Sequence, residues 1–74
     1  MTFVAIGSPV YTAEGELVGK VKNVWGLQFE VDVPYAPDYW LSTTAVATVQ
    51  PTGLYLRYGA DVVSRMAVPP PAEQ

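Results

Sequence analysis

Seventy-four residues hold one domain, and a chain of that length buries only about 60% of the surface it exposes when unfolded, which leaves a thin stability margin. Seven acids against four bases give a net charge of −3, which repels nucleic-acid phosphates and anionic lipid headgroups. Half of the residues are apolar and 12% aromatic, enough for a packed core, while the lack of histidine and cysteine excludes disulfides, thiolate ligands and any imidazole- or thiol-based triad within this chain.

The opening Met-Thr-Phe-Val-Ala-Ile has no basic segment and too short an apolar run to cross a bilayer. No signal peptide and no membrane insertion are expected, and the expected location is the cytoplasm. Pro9 to Thr12 suits a first strand, and the turn Ala13 to Glu16 carries Gly15, which tolerates the positive φ a tight hairpin needs. Leu17 to Trp25 is a longer valine-rich strand interrupted by Gly19. Val21 and Val24 are three apart and cannot share a face of an unbroken strand, so an irregularity is expected between Gly19 and Val24. Lys20 and Lys22 read as solubilising side chains on that strand.

Gly26 makes the next turn, and Leu27 to Val33 alternates cleanly, with Phe29, Val31 and Val33 against Gln28, Glu30 and Asp32. Pro34-Tyr-Ala-Pro-Asp38 breaks the strand, since each proline removes a ladder donor and restrains the residue before it. Tyr39 to Leu41 resumes as a short strand, Ser42 to Thr44 suits a single helical turn, and Ala45 to Gln50 is a fifth strand. Pro51-Thr-Gly53 reads as a turn, and Leu54 to Tyr58 alternates again before Gly59 ends it. Ala60 to Met66 spaces Val62, Val63 and Met66 as two helical turns would, and the closing Val-Pro-Pro-Pro-Ala-Glu-Gln favours extended polyproline conformation without packed structure. The expected organisation is one domain over residues 1–66 and a flexible proline-rich tail over 67–74.

Several short pieces in this order carry a family resemblance: Ile6-Gly-Ser-Pro-Val10, Glu14-Gly-Glu-Leu-Val-Gly-Lys-Val21, an alternating strand, Tyr39-Trp-Leu41 before Ala45-Val46, and Gly53-Leu-Tyr-Leu56. From Ile6 to Tyr58 the chain resembles the PRC-barrel superfamily, which takes in the cytoplasmic domain of the photosynthetic reaction-centre H subunit and the C-terminal domain of the ribosome maturation factor. Pro-Tyr-Ala-Pro-Asp-Tyr-Trp is more aromatic and more proline-rich than the corresponding stretch of a typical member, and the proline tail is no family mark. The resemblance implies an all-β fold, a six-stranded and strongly bent sheet of SH3-like barrel type used as a docking module, to which the spacing over Ala60 to Met66 adds a short C-terminal helix. It implies no catalytic activity.

The residue inventory points the same way. Glu30 and Asp32 share one face of a strand about 6 to 7 Å apart at Cα, but carboxylates on the polar side of an amphipathic strand read as solvated surface. No loop has the run of oxygen ligands that a hard cation needs, and neither Gly15 nor Gly19 leads into a helix that could cradle phosphate. No catalytic residue, metal or cofactor is expected. Six large rings, Trp25, Tyr35, Tyr39, Trp40, Tyr55 and Tyr58, exceed what so small a core can hold. Exposed tryptophan and tyrosine serve interfaces well, since each offers a wide apolar area at low rotamer cost. Trp25, Tyr35, Tyr39, Trp40 and Tyr55 are therefore the expected partner-binding residues, centred on Pro34 to Trp40. The expected function is a non-enzymatic protein-interaction module that docks onto a protein partner or forms a homo-oligomer. The alternative is an accessory subunit capping the cytoplasmic face of a photosynthetic or respiratory membrane complex, associated peripherally. Small-ligand binding in the barrel mouth and nucleic-acid binding rank below these.

Overall fold

A computed structural model describes residues 4–71. Its strands are β1 (Pro9–Tyr11), β2 (Leu17–Trp25), β3 (Gln28–Asp32), β4 (Tyr39–Ser42), β5 (Val46–Gln50) and β6 (Gly53–Leu56), followed by one helical turn, α1 (Ala60–Val63). They form a single six-stranded mixed sheet in the order β4-β3-β2-β1-β6-β5. All neighbours run antiparallel except β1 and β6, which pair in parallel through Val10 with Leu54 and Tyr11 with Tyr55. The expected all-β domain is present; its sheet is open, with β4 and β5 as the two edges.

Those edges are nevertheless neighbours in the chain. Laid flat, six strands would separate β4 from β5 by about 24 Å, while the four Cα steps from Ser42 to Val46 reach about 14 Å at most. The sheet must therefore curl. A 3₁₀ turn, Thr43–Ala45, makes the join, with the Ser42 hydroxyl accepting from the Thr44 amide at its N-cap. The Thr43 amide donates to the Leu27 carbonyl at 2.9 Å and the Arg57 amide to the Ala45 carbonyl at 2.9 Å, so the turn is held from both sides.

Slips in register supply the curvature. On β2, Val18 has no partner on β1 and Lys22 none on β3, and on β5 the slip falls at Ala47. The slip at Lys22 is the irregularity expected between Gly19 and Val24. Val21 now lies opposite Val31 and Val24 opposite Phe29, which puts both valines on the same side of the sheet, Val21 buried in the core and Val24 38% exposed at its margin. Between the slips, the Gly19 site is roofed by the Asp32 carbonyl, leaving no room for a Cβ. The concave face buries Val10, Val21, Phe29, Val31, Leu41, Val46, Leu54 and Leu56, with Ala45 from the turn and Val63 from α1. Thr12 is the buried polar residue: its hydroxyl accepts from the Glu14 and Glu16 amides and fixes the β1–β2 turn, where Gly15 stands at φ 87°.

Three expectations need correction. Leu27 belongs to the turn with Gly26 and not to the strand, because Trp25 pairs directly with Gln28. The helix over Ala60–Met66 is one α-turn followed by 3₁₀ backbone, Ser64–Met66; Val63 enters the core and Met66 is exposed, since seven residues do not sustain a helix unaided. The proline-rich segment, expected without packed structure, makes a packed contact in its described part: the Val68 amide donates to the Trp40 carbonyl at 2.8 Å, an antiparallel bridge on the outer edge of β4. The rest of the expected tail, residues 72–74, lies outside the described residues. The other edge, β5, reads Val-Ala-Thr-Val-Gln without a charge and is exposed from Ala47 to Gln50.

Gly53 sits at φ 143°, and a Cβ there would lie 2.6 Å from the Pro9 carbonyl oxygen. Gly53→Ala should cost about 2–3 kcal/mol, combining backbone strain with pressure on the β1–β6 pairing. Gly15→Ala, strained in φ but in open space, should cost about 1 kcal/mol. Urea unfolding followed by tryptophan fluorescence gives both values, and equal costs would remove the close approach as the cause.

Candidate interaction surface

The loop between β3 and β4 is built by Pro34. Its fixed φ suits the second position of a turn that the Ala36 amide closes onto the Val33 carbonyl at 3.3 Å. Tyr35 then occupies the third position at φ 62°, a conformation that this type II geometry normally gives to glycine. Its side chain is fully exposed. The far end of the loop is pinned by Lys22, whose Nζ lies 2.6 Å from Asp38 Oδ2. The register slip at Lys22 leaves that residue unpaired on β3 and available to the loop. The hydrogen bond from Lys22, and then its charge, hold the Asp38 carboxyl below its ordinary value; the Asp38 carboxylate raises the Lys22 ammonium in return.

Register decides where the other rings point. Trp40 lies opposite Glu30, and Trp25 opposite Gln28, which places both indoles on the convex face with Asn23 and Ser42. Trp25 is 53% exposed, and Leu27 beside it at the hairpin tip is 77% exposed. Tyr39 lies opposite Val31 and turns inward against the core. Burial pushes its hydroxyl pKa up. Tyr55 stacks on Tyr11 with ring centroids 5.0 Å apart, on the convex face of β6 and β1.

The five rings singled out in the sequence are thus not one patch. Tyr35 crowns the loop after β3, Trp25 and Trp40 share the convex face of the β2–β3–β4 half, Tyr55 lies on the other half, and Tyr39 lines the concave side. Leu27 and Tyr11 escaped the sequence reading. The Trp-Gly-Leu-Gln run could have signalled Leu27 as a turn residue, whereas Tyr11 depends on a parallel pairing that leaves no local mark.

One pair of polar side chains on the convex face is joined directly. The Asn23 amide donates to Glu30 Oε1 at 2.8 Å, and Lys20 lies opposite Asp32. Among the described residues, no three acidic side chains come together as metal ligands would. On the concave side, a cleft of about 230 Å³ opens between the β1–β2 turn, Val33, Tyr39 and the α1 residue Val63. Comparison with known protein families, curated proteins and solved structures finds no match.

The ion pair sets a pH window for this loop. Asp38, lowered in the folded state, adds stability above the pKa of an unfolded aspartate and loses it as pH falls through the folded value. Lys22, raised in the folded state, adds stability below 10.5 and loses it as pH rises through its folded value. Asp38→Asn should therefore flatten the acid side of the stability curve between about pH 5 and pH 2, measured by urea unfolding at each pH, and should abolish the upward shift of Lys22 seen by NMR titration of its ε-carbon. An unchanged acid limb would show that the pair does not hold the loop.

Proposed function

We propose that this chain is a non-enzymatic protein-interaction module of PRC-barrel type, which docks onto a protein partner or a second copy of itself through the aromatic loop Pro34–Trp40. The observation that carries the reading is Tyr35. A non-glycine residue in the left-handed region costs of order 1–2 kcal/mol, and this one gains no packing within the domain, since its ring stands wholly in solvent. Strain held in this way without internal compensation is typical of residues kept for contact with something else. Pro34 on one side and the Lys22–Asp38 pair on the other present the ring on a braced loop, which lowers the ordering cost of binding.

The PRC-barrel part of the proposal draws support from the six strands, the curled sheet and the order of the short sequence pieces from Ile6 to Tyr58. The convex face adds a second apolar zone at Trp25 and Leu27, at the opposite end of β3 from Tyr35.

Tyr35→Gly separates folding from docking. It should stabilise the isolated domain by about 1 kcal/mol by removing the strain, while lowering the sedimentation mass or the recovery of native partners in a pull-down from source-cell extract. A variant that is more stable and keeps every association would overturn the proposal.

A further inference from the structure

The described part of the proline segment shows a periodicity of its own. Val68 and Pro71 are partly buried, whereas Pro69 and Pro70 between them are exposed. A three-residue repeat is that of the polyproline II helix, which brings residues i and i+3 to one face. Two hydrogen bonds anchor the segment: the Val68 amide to the Trp40 carbonyl at 2.8 Å, and the Gln28 side-chain amide to the Pro69 carbonyl at 3.2 Å. Gln28 projects from the convex face of β3, so its reach to Pro69 draws the segment over the face of β4 that carries the Trp40 indole. An aromatic ring beside a side-chain donor to a proline-segment carbonyl is the chemistry by which grooves recognise polyproline helices.

We propose that the convex face around Gln28 and Trp40 is a recognition site for an aliphatic-proline-proline-proline segment in polyproline II conformation, and that the chain's own Val68–Pro71 fills it. The inference rests on the docking-module reading above and gives it a second, separate ligand class. Polyproline suits a domain of net charge −3 because it brings no charge of its own. The segment is also pre-extended, so docking orders little that was free. Held in cis, it competes at millimolar effective concentration, and a proline-rich segment of another chain enters when it lets go.

The test uses the full chain with residues 68–71 replaced by glycine (V68G/P69G/P70G/P71G), read through the indole N–H resonance of Trp40, assigned with Trp40→Phe. The expected result is a shifted Trp40 resonance in the glycine chain. Titration with the peptide Ala-Val-Pro-Pro-Pro should return it toward the wild-type position. The wild-type chain should take the same peptide at least about tenfold more weakly, since its own segment competes. Adding Gln28→Ala should weaken the peptide response. An unmoved Trp40 resonance, no response to the peptide, or an equal response to Ala-Val-Gly-Gly-Gly overturns the proposal, as does an unprotected Val68 amide in hydrogen exchange of the wild-type chain. Tyr35 lies beyond the other end of β3, so the same titration in Tyr35→Gly tells the two readings apart: association kept in that variant overturns docking through Tyr35, whereas an absent peptide response overturns the polyproline site, each independently of the other.

Discussion

The three residues that join the two edge strands constrain everything else in this fold. A sheet whose first and last strands in space are consecutive in sequence cannot lie flat, and Thr43–Ala45 is too short to allow any arrangement but a tight curl. The curl creates an inside for a chain too small for two layers: one sheet wraps its own apolar face, and Val63 from the single α-turn closes part of the opening. It also explains why β2, the longest strand, carries two slips in register. A strand bent this far must shed ladder contacts somewhere, and it does so at Val18 and Lys22.

The same economy accounts for the surface. Because the interior is only one sheet's concavity, among the described residues it takes Phe29 as its one fully buried ring, admits Tyr39 and Tyr58 in part, and leaves the other large aromatics on the convex side or in loops. The slip at Lys22 turns a ladder residue into a tether for the loop that displays Tyr35. Sheet curvature and loop presentation thus share a cause. The two edges are treated differently as well: β4 is covered at Val68 by the chain's own segment, whereas β5 has only the slip at Ala47 and the proline after Gln50 to discourage pairing with other strands.

Local chemistry in the sequence made much of this readable. The alternation around Phe29 and Val31, the Glu14–Gly15 turn, the bounds of β2 and the misfit of Val21 with Val24 each follow from two-residue periodicity or from glycine and proline placement. What could not be read depends on partners distant in the chain. The parallel pairing of β1 with β6 joins the first strand to the last, and nothing near Val10 or Leu54 announces it. Alternation placed Tyr39 and Trp40 on opposite faces, but only the register against Val31 and Glu30 decides which of them turns inward. The left-handed Tyr35 defies the residue preference of its turn, and the contact of Gln28 with Pro69 spans most of the chain. For the candidate site, the identity of the rings was legible and their division among four separate places in the fold was not.

The parallel β1–β6 pair has a consequence for how the domain comes into being. During synthesis β1 can meet β2 early, yet its other flank stays open until the residues of β6 have been made, and Val10 and Leu54 must then find each other across more than half the length of the polypeptide. Such late, distant closure slows folding and lengthens the time in which apolar strands stand uncovered. A nascent chain stalled after β5 would hold five of the six strands and still lack the one that joins β5 to the rest of the sheet.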